Sequence, residues 1–329
     1  MSKPRVYITR LIPEEGLRMI QEVCDVEVWE DELPPPREVL LEKIKGKDGL
    51  LSLLTDKVDA ELMDAAGTLR VISNYAVGYD NIDVKAATER GIPVGNTPGV
   101  LTETTADLAF TLLMVVARRV VEGVDYVRAG RWKTWGPRLL LGQDVYGATL
   151  GIIGFGRIGQ AMARRARGFG MKVLYYNRTR RGDLEVSLGV RYVDLDTLLR
   201  ESDFISIHTD LNPSTYHLIN AEALAKMKRT AILINTARGP IVDPVALAEA
   251  LEKGTIAGAG LDVTEPEPIP VDSPLLQLPN CVIVPHIGSA SVATRGLMAR
   301  MAAENLLAGV RGERLPNCVN PEVYERKEV

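Results

Sequence analysis

The chain has 329 residues, with 39 Lys+Arg against 43 Asp+Glu and a formal net charge of −4 at pH 7. Its 46% hydrophobic and 25% charged residues exclude a disordered chain, and the mildly acidic balance lacks the electrostatic footprint of a nucleic-acid binder. No apolar run approaches the ~20 residues that span a bilayer, and at about 100–200 residues per domain the length predicts two domains.

Residues 1–10 lack an apolar core followed by a cleavage site, so no signal peptide is expected and the predicted location is cytoplasmic. From there, short apolar runs alternate with amphipathic segments. Residues 6–9, 26–29, 49–54 and 71–75 are predicted strands; residues 13–22, 36–44, 60–65 and 82–89 are predicted helices. This alternation predicts βαβ units on a parallel sheet. Pro13 and Pro36 are expected in first helical turns, where a missing N–H costs nothing.

Residues 102–121 predict one long apolar helix. An irregular excursion over 126–147 then carries Trp132, Trp135 and the run from Leu139 to Leu141. Such side chains are costly to leave wet, so they pack either on this chain or on a second subunit. Strands resume at 149–154, 172–176, 203–208, 231–236, 258–263 and 281–285. Several are unbroken apolar runs, the pattern of strands buried on both faces. A last helix is expected at about 290–307, and residues 325–329 are expected to fray. Cys24, Cys281 and Cys318 show no C-x-x-C spacing, so neither a zinc site nor a disulfide framework is predicted. His208, His217 and His286 have no paired spacing, and no metal site is expected.

Gly154-Phe155-Gly156-Arg157-Ile158-Gly159 follows the strand at 149–153 and opens a helix at 157–168. In that context each glycine has a task. The first permits the tight turn, the second lets backbone approach a pyrophosphate, and the third lets helix and strand pack closely. The next strand ends in Asn177-Arg178-Thr179-Arg180-Arg181, with no carboxylate before Asp183. Readers of NAD place an acid there for the ribose 2′-hydroxyl. Arg178, Thr179 and Arg181 suit a 2′-phosphate instead, so NADP(H) is the expected cofactor and NAD(H) the alternative. The competing reading is a solvated loop decorated by arginines.

Three polar elements follow later strands, where open α/β sheets bind ligands. They are Thr236-Ala237-Arg238, Asp262 with Glu267, and His286-Ile287-Gly288. Singly, each has a bland reading as a surface or structural residue. Together they suit hydride addition to a 2-oxo acid. Arginine anchors a carboxylate by bidentate geometry. Histidine donates a proton near neutral pH, and a carboxylate beside it favours the imidazolium.

Gly154–Gly159, the Asn235–Gly239 stretch, Gly260-Leu261-Asp262-Val263 with Glu267-Pro268, and Pro285-His286-Ile287-Gly288-Ser289-Ala290 resemble the D-isomer-specific 2-hydroxyacid dehydrogenases. The run from Asn74 to Asp83 is similar to the glyoxylate/hydroxypyruvate reductase branch, of archaeal glyoxylate reductase type. The resemblance covers essentially the whole chain. It implies two Rossmann-like, doubly wound parallel-sheet α/β domains with an active-site cleft between them. The flavodoxin-like substrate domain would be residues 1–98 plus 288–329, and the dinucleotide domain 99–287.

The resemblance further implies Arg238 as carboxylate anchor, His286 as acid/base and Glu267 as its partner. The substrate would also meet Leu53 and the amides of Val77 and Gly78. The dinucleotide would meet Thr105, Gly154, Phe155, Gly156, Arg157, Ile158, Gly159, Asn177, Arg178, Thr179, Thr236, Ala237, Arg238, Asp262, His286 and Gly288, with Asp262 on the nicotinamide carboxamide. It implies a homodimer through the dinucleotide domain, with an arm around Trp132 to Leu141. The family usually carries Pro-Leu-Thr where this chain has Asp210-Leu211-Asn212, and Asp210 is expected to face solvent. The implied reaction reduces glyoxylate and hydroxypyruvate to glycolate and D-glycerate. Alternatives are a D-glycerate, D-lactate, phosphoglycerate or phosphite dehydrogenase, or a dinucleotide-sensing corepressor-like protein. The intact Arg238, Glu267 and His286 disfavour the last.

Overall fold

An unbroken apolar strand leaves no face for water, so sheets built from such strands are covered on both sides. The computed structural model describes residues 2–327. It divides into two units, Met1–Leu101 with Ser289–Val329, and Thr102–Gly288. The seams fall after Leu101 and Gly288, where the sequence suggested 98 and 287.

In the first unit the chain runs β1 (Arg5–Ile8), α1 (Glu14–Val23), β2 (Asp25–Val28), α2 (Arg37–Lys43), β3 (Gly49–Ser52), α3 (Ala60–Ala66), β4 (Val71–Asn74), α4 (Val84–Glu89) and β5 (Val94–Gly95). The sheet is parallel, in the order β2-β1-β3-β4-β5. Pro13 and Pro36 are N-caps, one position before the first turn, with φ of −50° and −53°. There too the absent N–H costs nothing, because the cap's amide lies outside the helix. Asp59 and Asp83 cap α3 and α4, accepting from the amides of Leu62 and Ala86.

The second unit opens with α5 (Thr102–Ala117) and α6 (Val120–Arg128). The single helix expected over 102–121 is therefore two. Gln143 N donates to Ala117 O at 2.8 Å, and Arg119 takes a left-handed φ of 52°. The returning chain thus claims a carbonyl at the end of α5, and the helix stops there. The unit continues with β6 (Thr149–Ile153), α7 (Arg157–Gly168), β7 (Lys172–Tyr176), α8 (Gly182–Leu188), β8 (Val190–Tyr192), α9 (Leu195–Glu201), β9 (Phe204–Ile207), α10 (Ala221–Lys226), β10 (Ile232–Asn235), α11 (Pro244–Glu252), β11 (Gly258–Leu261) and β12 (Cys281–Ile283). The seven strands are parallel, in the order β12-β11-β10-β9-β6-β7-β8. Alternate residues serve opposite faces. Ile152, Ile232 and Ile234 join Leu112, Leu113 and Val116 of α5 in one core, while Ile153 and Leu233 join Leu198, Leu224 and Leu247 in the other. The sheet order reverses between β6 and β9, the topological switch point where such sheets bind ligands.

The chain then returns to the first unit as α12 (Val292–Val310), which buries Met298, Ala302 and Leu306 against Val6, Ile8 and Val71. Ser73 Oγ donates to Ala302 O at 2.8 Å. Residues 325–327 lie in a 3-10 segment, Pro321–Lys327; residues 328 and 329 fall outside the described residues. In the 129–147 excursion, Trp132, Trp135 and Leu141 are 59%, 78% and 65% exposed, so this chain leaves most of their surface uncovered.

Candidate active site

The glycine turn is built as its sequence requires. Gly154 adopts φ +91°, and a Cβ there would sit 2.4 Å from His208 O, at the switch point. A Cβ on Gly159 would meet Gly154 O at 2.2 Å, so α7 packs against the turn only with glycine. A Cβ on Gly156 would meet nothing within 4 Å. Gly156 is the N-cap of α7 and offers no capping side chain, leaving the amides of the first turn for an anion. Phe155 is buried and stacked on Tyr175 at 4.2 Å, and its N–H donates to Asn177 Oδ1 at 3.1 Å. Asn177 Nδ2 donates to Thr179 O at 2.8 Å. The end of β7 is thereby fixed against the glycine turn.

The arginines beyond β7 divide in two. Arg180 pairs with Glu185, and Arg181 with Asp183. These two are held by local acids, which weakens the expectation of Arg181 as a phosphate ligand. Arg178 and Thr179 are exposed, and Arg178 makes no ion pair among the described residues.

At the other strand ends, Asn235 closes a side-chain turn. Its Oδ1 accepts from Ala237 N at 3.0 Å and its Nδ2 donates to Arg238 O at 2.8 Å. Arg238 Nη1 donates to Ala237 O at 2.9 Å. Thr236 Oγ1 is buried with no hydrogen-bond partner among the described residues. Asp262 is buried, and both carboxylate oxygens are used: Oδ1 accepts from Ile287 N at 2.6 Å and Oδ2 from Gly288 N at 2.8 Å. Burial pushes this carboxyl above its ordinary range despite those bonds. Asp262 therefore shapes the turn after β12, in which His286 holds a left-handed φ of 52°. Thr105 lies beside that turn, since a Cβ on Gly288 would meet Thr105 Cγ2 at 3.4 Å.

His286 Nδ1 lies 2.5 Å from Glu267 Oε1. Burial pushes the Glu267 carboxyl up, but the hydrogen bond to His286 and the charges of His286 and Arg238 outweigh it and hold the group below its ordinary value. An ionised carboxylate only accepts, so Nδ1 is the donor and Nε2 points elsewhere. Arg238, Glu267, His286, Asp262, Gly288 and Thr105 are thus gathered in one unit. Leu53, Val77 and Gly78 lie in the other. There Leu53 N donates to Asp56 Oδ2 at 2.7 Å, and Asn81 Nδ2 donates to Leu53 O at 3.0 Å. Asn74 Nδ2 donates to Gly78 O at 2.9 Å, and Asn96 Nδ2 to Val77 O at 2.8 Å. These side-chain amides were not singled out from the sequence. They hold the carbonyls of Val77 and Gly78, while the N–H groups of those residues donate to nothing among the described residues.

Asp210 is exposed, as expected. His208 bonds to Ser206 Oγ at 2.8 Å, and desolvation pushes it down to about 3, so its ring is neutral. A cavity of about 310 Å³ lies away from this chemistry, lined by Val116, Arg119, Leu141, Ile232 and Ala257. Among the described residues no cluster of three or more His, Cys, Asp or Glu is placed to hold a metal, and no helix is long and apolar enough to cross a membrane.

Residues 110–288 match the model of the D-isomer specific 2-hydroxyacid dehydrogenase, NAD binding domain. The chain is 61% identical to a glyoxylate reductase of Korarchaeum cryptofilum over 98% of both chains, and 54% identical to one of Pyrococcus horikoshii at the same coverage. It superposes on the crystal structure of the TT0316 protein from Thermus thermophilus with a TM-score of 0.91 and 52% identity, covering 96% of this chain and 99% of that one. It also matches an NADPH-dependent glyoxylate/hydroxypyruvate reductase from Sinorhizobium meliloti, solved with NADP and malonate, at a TM-score of 0.83 and 35% identity over 97% of each chain. From a family model spanning more than half of the sequence, and relatives identical at most positions from end to end, one conclusion follows: the chain belongs to the D-isomer specific 2-hydroxyacid dehydrogenases and carries their NAD-binding domain.

Proposed function

We propose that this chain reduces small 2-oxo acids, glyoxylate and hydroxypyruvate first, to glycolate and D-glycerate, with NADP(H) as its preferred dinucleotide. The observation that carries the reading is the His286–Glu267 pair with Arg238 nearby, at strand ends of the sheet that bears the glycine turn. The names of the relatives support the substrate class.

The residues present fit a dinucleotide. The space beside Gly156, the uncapped first turn of α7 and the orphaned Thr236 hydroxyl all suit one. The first-turn amides, with Arg157 and Ile158, would hold the pyrophosphate, and Asn177, Arg178 and Thr179 the 2′-phosphate. Thr105, Ala237, Asp262 and Gly288 would border the nicotinamide end. Bound there, a reduced nicotinamide supplies the hydride.

The remaining work falls to side chains. Arg238 grips the substrate carboxylate through two parallel N–H bonds and draws charge toward the carbonyl oxygen. In the other unit, the N–H groups of Val77 and Gly78, which donate to nothing among the described residues, are assigned to carboxylate binding, with Leu53 as a further substrate contact. His286 delivers a proton from Nε2 to the forming alkoxide. Glu267 accepts from Nδ1, which fixes the tautomer and orients the ring with Nε2 free to act.

The exposed Trp132, Trp135 and Leu141, with Val124 and Val127 exposed on α6, support a homodimer through this arm. Three unpaired cysteines fit a reducing, cytoplasmic location.

The test is a panel of 2-oxo acids run with NADPH and with NADH. Absorbance of the reduced cofactor falls with glyoxylate and hydroxypyruvate, and kcat/KM with NADPH exceeds that with NADH by roughly tenfold or more, one charge-assisted contact's worth. Arg178→Ala raises KM for NADPH and leaves NADH unaffected. A preference for NADH removes the cofactor assignment; no turnover with any 2-oxo acid removes the reaction.

A further inference from the structure

The second unit holds another imidazole–carboxylate pair, outside the group described above. His217 Nε2 lies 2.7 Å from Glu265 Oε2. The Tyr216 ring stacks on the imidazole, with centroids 4.0 Å apart and planes 15° off parallel. Its hydroxyl donates to Glu265 Oε1 at 3.3 Å. Glu265 stands two residues before Glu267, on the loop that follows β11 and reaches His286.

The start of that loop packs closely, with the backbone of Thr264 and Glu265 against Gly239, and its tip is open. Pro266, Glu267 and Pro268 are exposed. Among the described residues, Asp262 at the start of the loop bonds to the amides of Ile287 and Gly288, and the side-chain hydrogen bonds of Glu265 and Glu267 to the rest of the chain run to Tyr216, His217 and His286. The backbone at His217 is tied to a different segment. Its N–H donates to Pro240 O at 2.8 Å, and Ile219 N donates to Ile241 O at 3.0 Å. Pro240 and Ile241 belong to the 3-10 turn Gly239–Ile241, which directly follows Arg238. His217 therefore joins two segments: its backbone grips the one that carries Arg238, and its ring grips the one that carries Glu267. It does so from a left-handed φ of 47°, a conformation that persists in a histidine only where surroundings over-determine it.

We propose that His217 is a positioning residue for the reduction, holding Glu267 on His286 through Glu265 and tying that loop to the Arg238 segment. The proposal rests on the reading of Arg238, Glu267 and His286 given above. A displacement of about 1 Å in such a group is enough to cost on the order of 10²-fold in rate. The charged groups that act on Tyr216, whose ring stacks on His217, are Glu265 and Asp243, and Asp243 is already engaged as the cap of α11. Those within the unit that face the His286 pair are Glu267, Asp262 and Arg238.

The test compares His217→Phe, His217→Gln, Glu265→Gln and Glu267→Gln in the full chain, with folding checked by circular dichroism and thermal melting. His217→Phe keeps the aromatic stack and loses the donor. It is expected to lower kcat by about tenfold with little change in KM for the dinucleotide. His217→Gln keeps an N–H donor and recovers much of the loss. Glu265→Gln keeps an acceptor but removes its charge, so it is expected to stay near wild type in melting temperature and to lower kcat by about threefold, which tests the tie should His217→Phe not fold. A wild-type kcat in a folded His217→Phe, or in Glu265→Gln when His217→Phe does not fold, overturns the proposal while an impaired Glu267→Gln leaves the catalytic reading standing. A silent Glu267→Gln overturns both.

Discussion

Replacing His286 by Asn lowers kcat/KM for 2-oxo acid reduction by about 10²–10⁴-fold, the usual range for loss of a positioned general acid. Asn is the right replacement for a structural reason. His286 holds a φ of 52°, and Asn tolerates the left-handed region better than Ala does. The turn should survive, because it is fixed by the amides of Ile287 and Gly288 on Asp262 rather than by the imidazole. What disappears is the proton source at Nε2 and the Nδ1–H that bonds Glu267. Dinucleotide affinity, followed by quenching of protein fluorescence, should therefore stay within a few-fold of wild type. Turnover within threefold of wild type by the folded variant would contradict the assigned role.

Substituting Arg238 by Ala costs about 10²–10³-fold in kcat/KM, as expected for removing a group that stabilises developing oxyanion charge. Both KM for the 2-oxo acid and kcat change, because the guanidinium grips the carboxylate in the ground state and the carbonyl oxygen more strongly in the transition state. Arg238→Lys keeps the charge but loses the planar fork, and most of the defect remains. Asn235 continues to hold the turn through backbone atoms, so the fold is undisturbed. Steady-state kinetics over glyoxylate concentration separates the two parameters. A Lys variant equal to wild type would show that only charge is needed and that bidentate recognition is not.

Sequence and structure agree where local sterics or full burial dictate the answer. The stretch β6–Gly154–α7 was legible because Gly154 and Gly159 meet fixed steric demands. Strands such as β9 and β10 were legible because they are apolar on both faces. The two-residue β5 and three-residue β8 were not, being too short for a period to show. The break between α5 and α6 was invisible because its cause, Gln143, lies 26 residues beyond Ala117. Arg238, Glu267 and His286 stood out as chemistry-bearing residues after strands. The His217–Glu265 tie did not, since its partners are 48 residues apart and meet only through the fold. Arg181 was assigned toward a phosphate when its nearest acid, Asp183, was two residues away.

The transfer of hydride to carbon 2 of a keto acid is most directly read with NADPH deuterated at nicotinamide C4 and glyoxylate, followed by mass spectrometry of the product. The expected product is glycolate carrying one deuterium on C2, abundant with the wild-type chain and nearly absent with His286→Asn. Glycolate without deuterium, or no glycolate at all, would contradict the account.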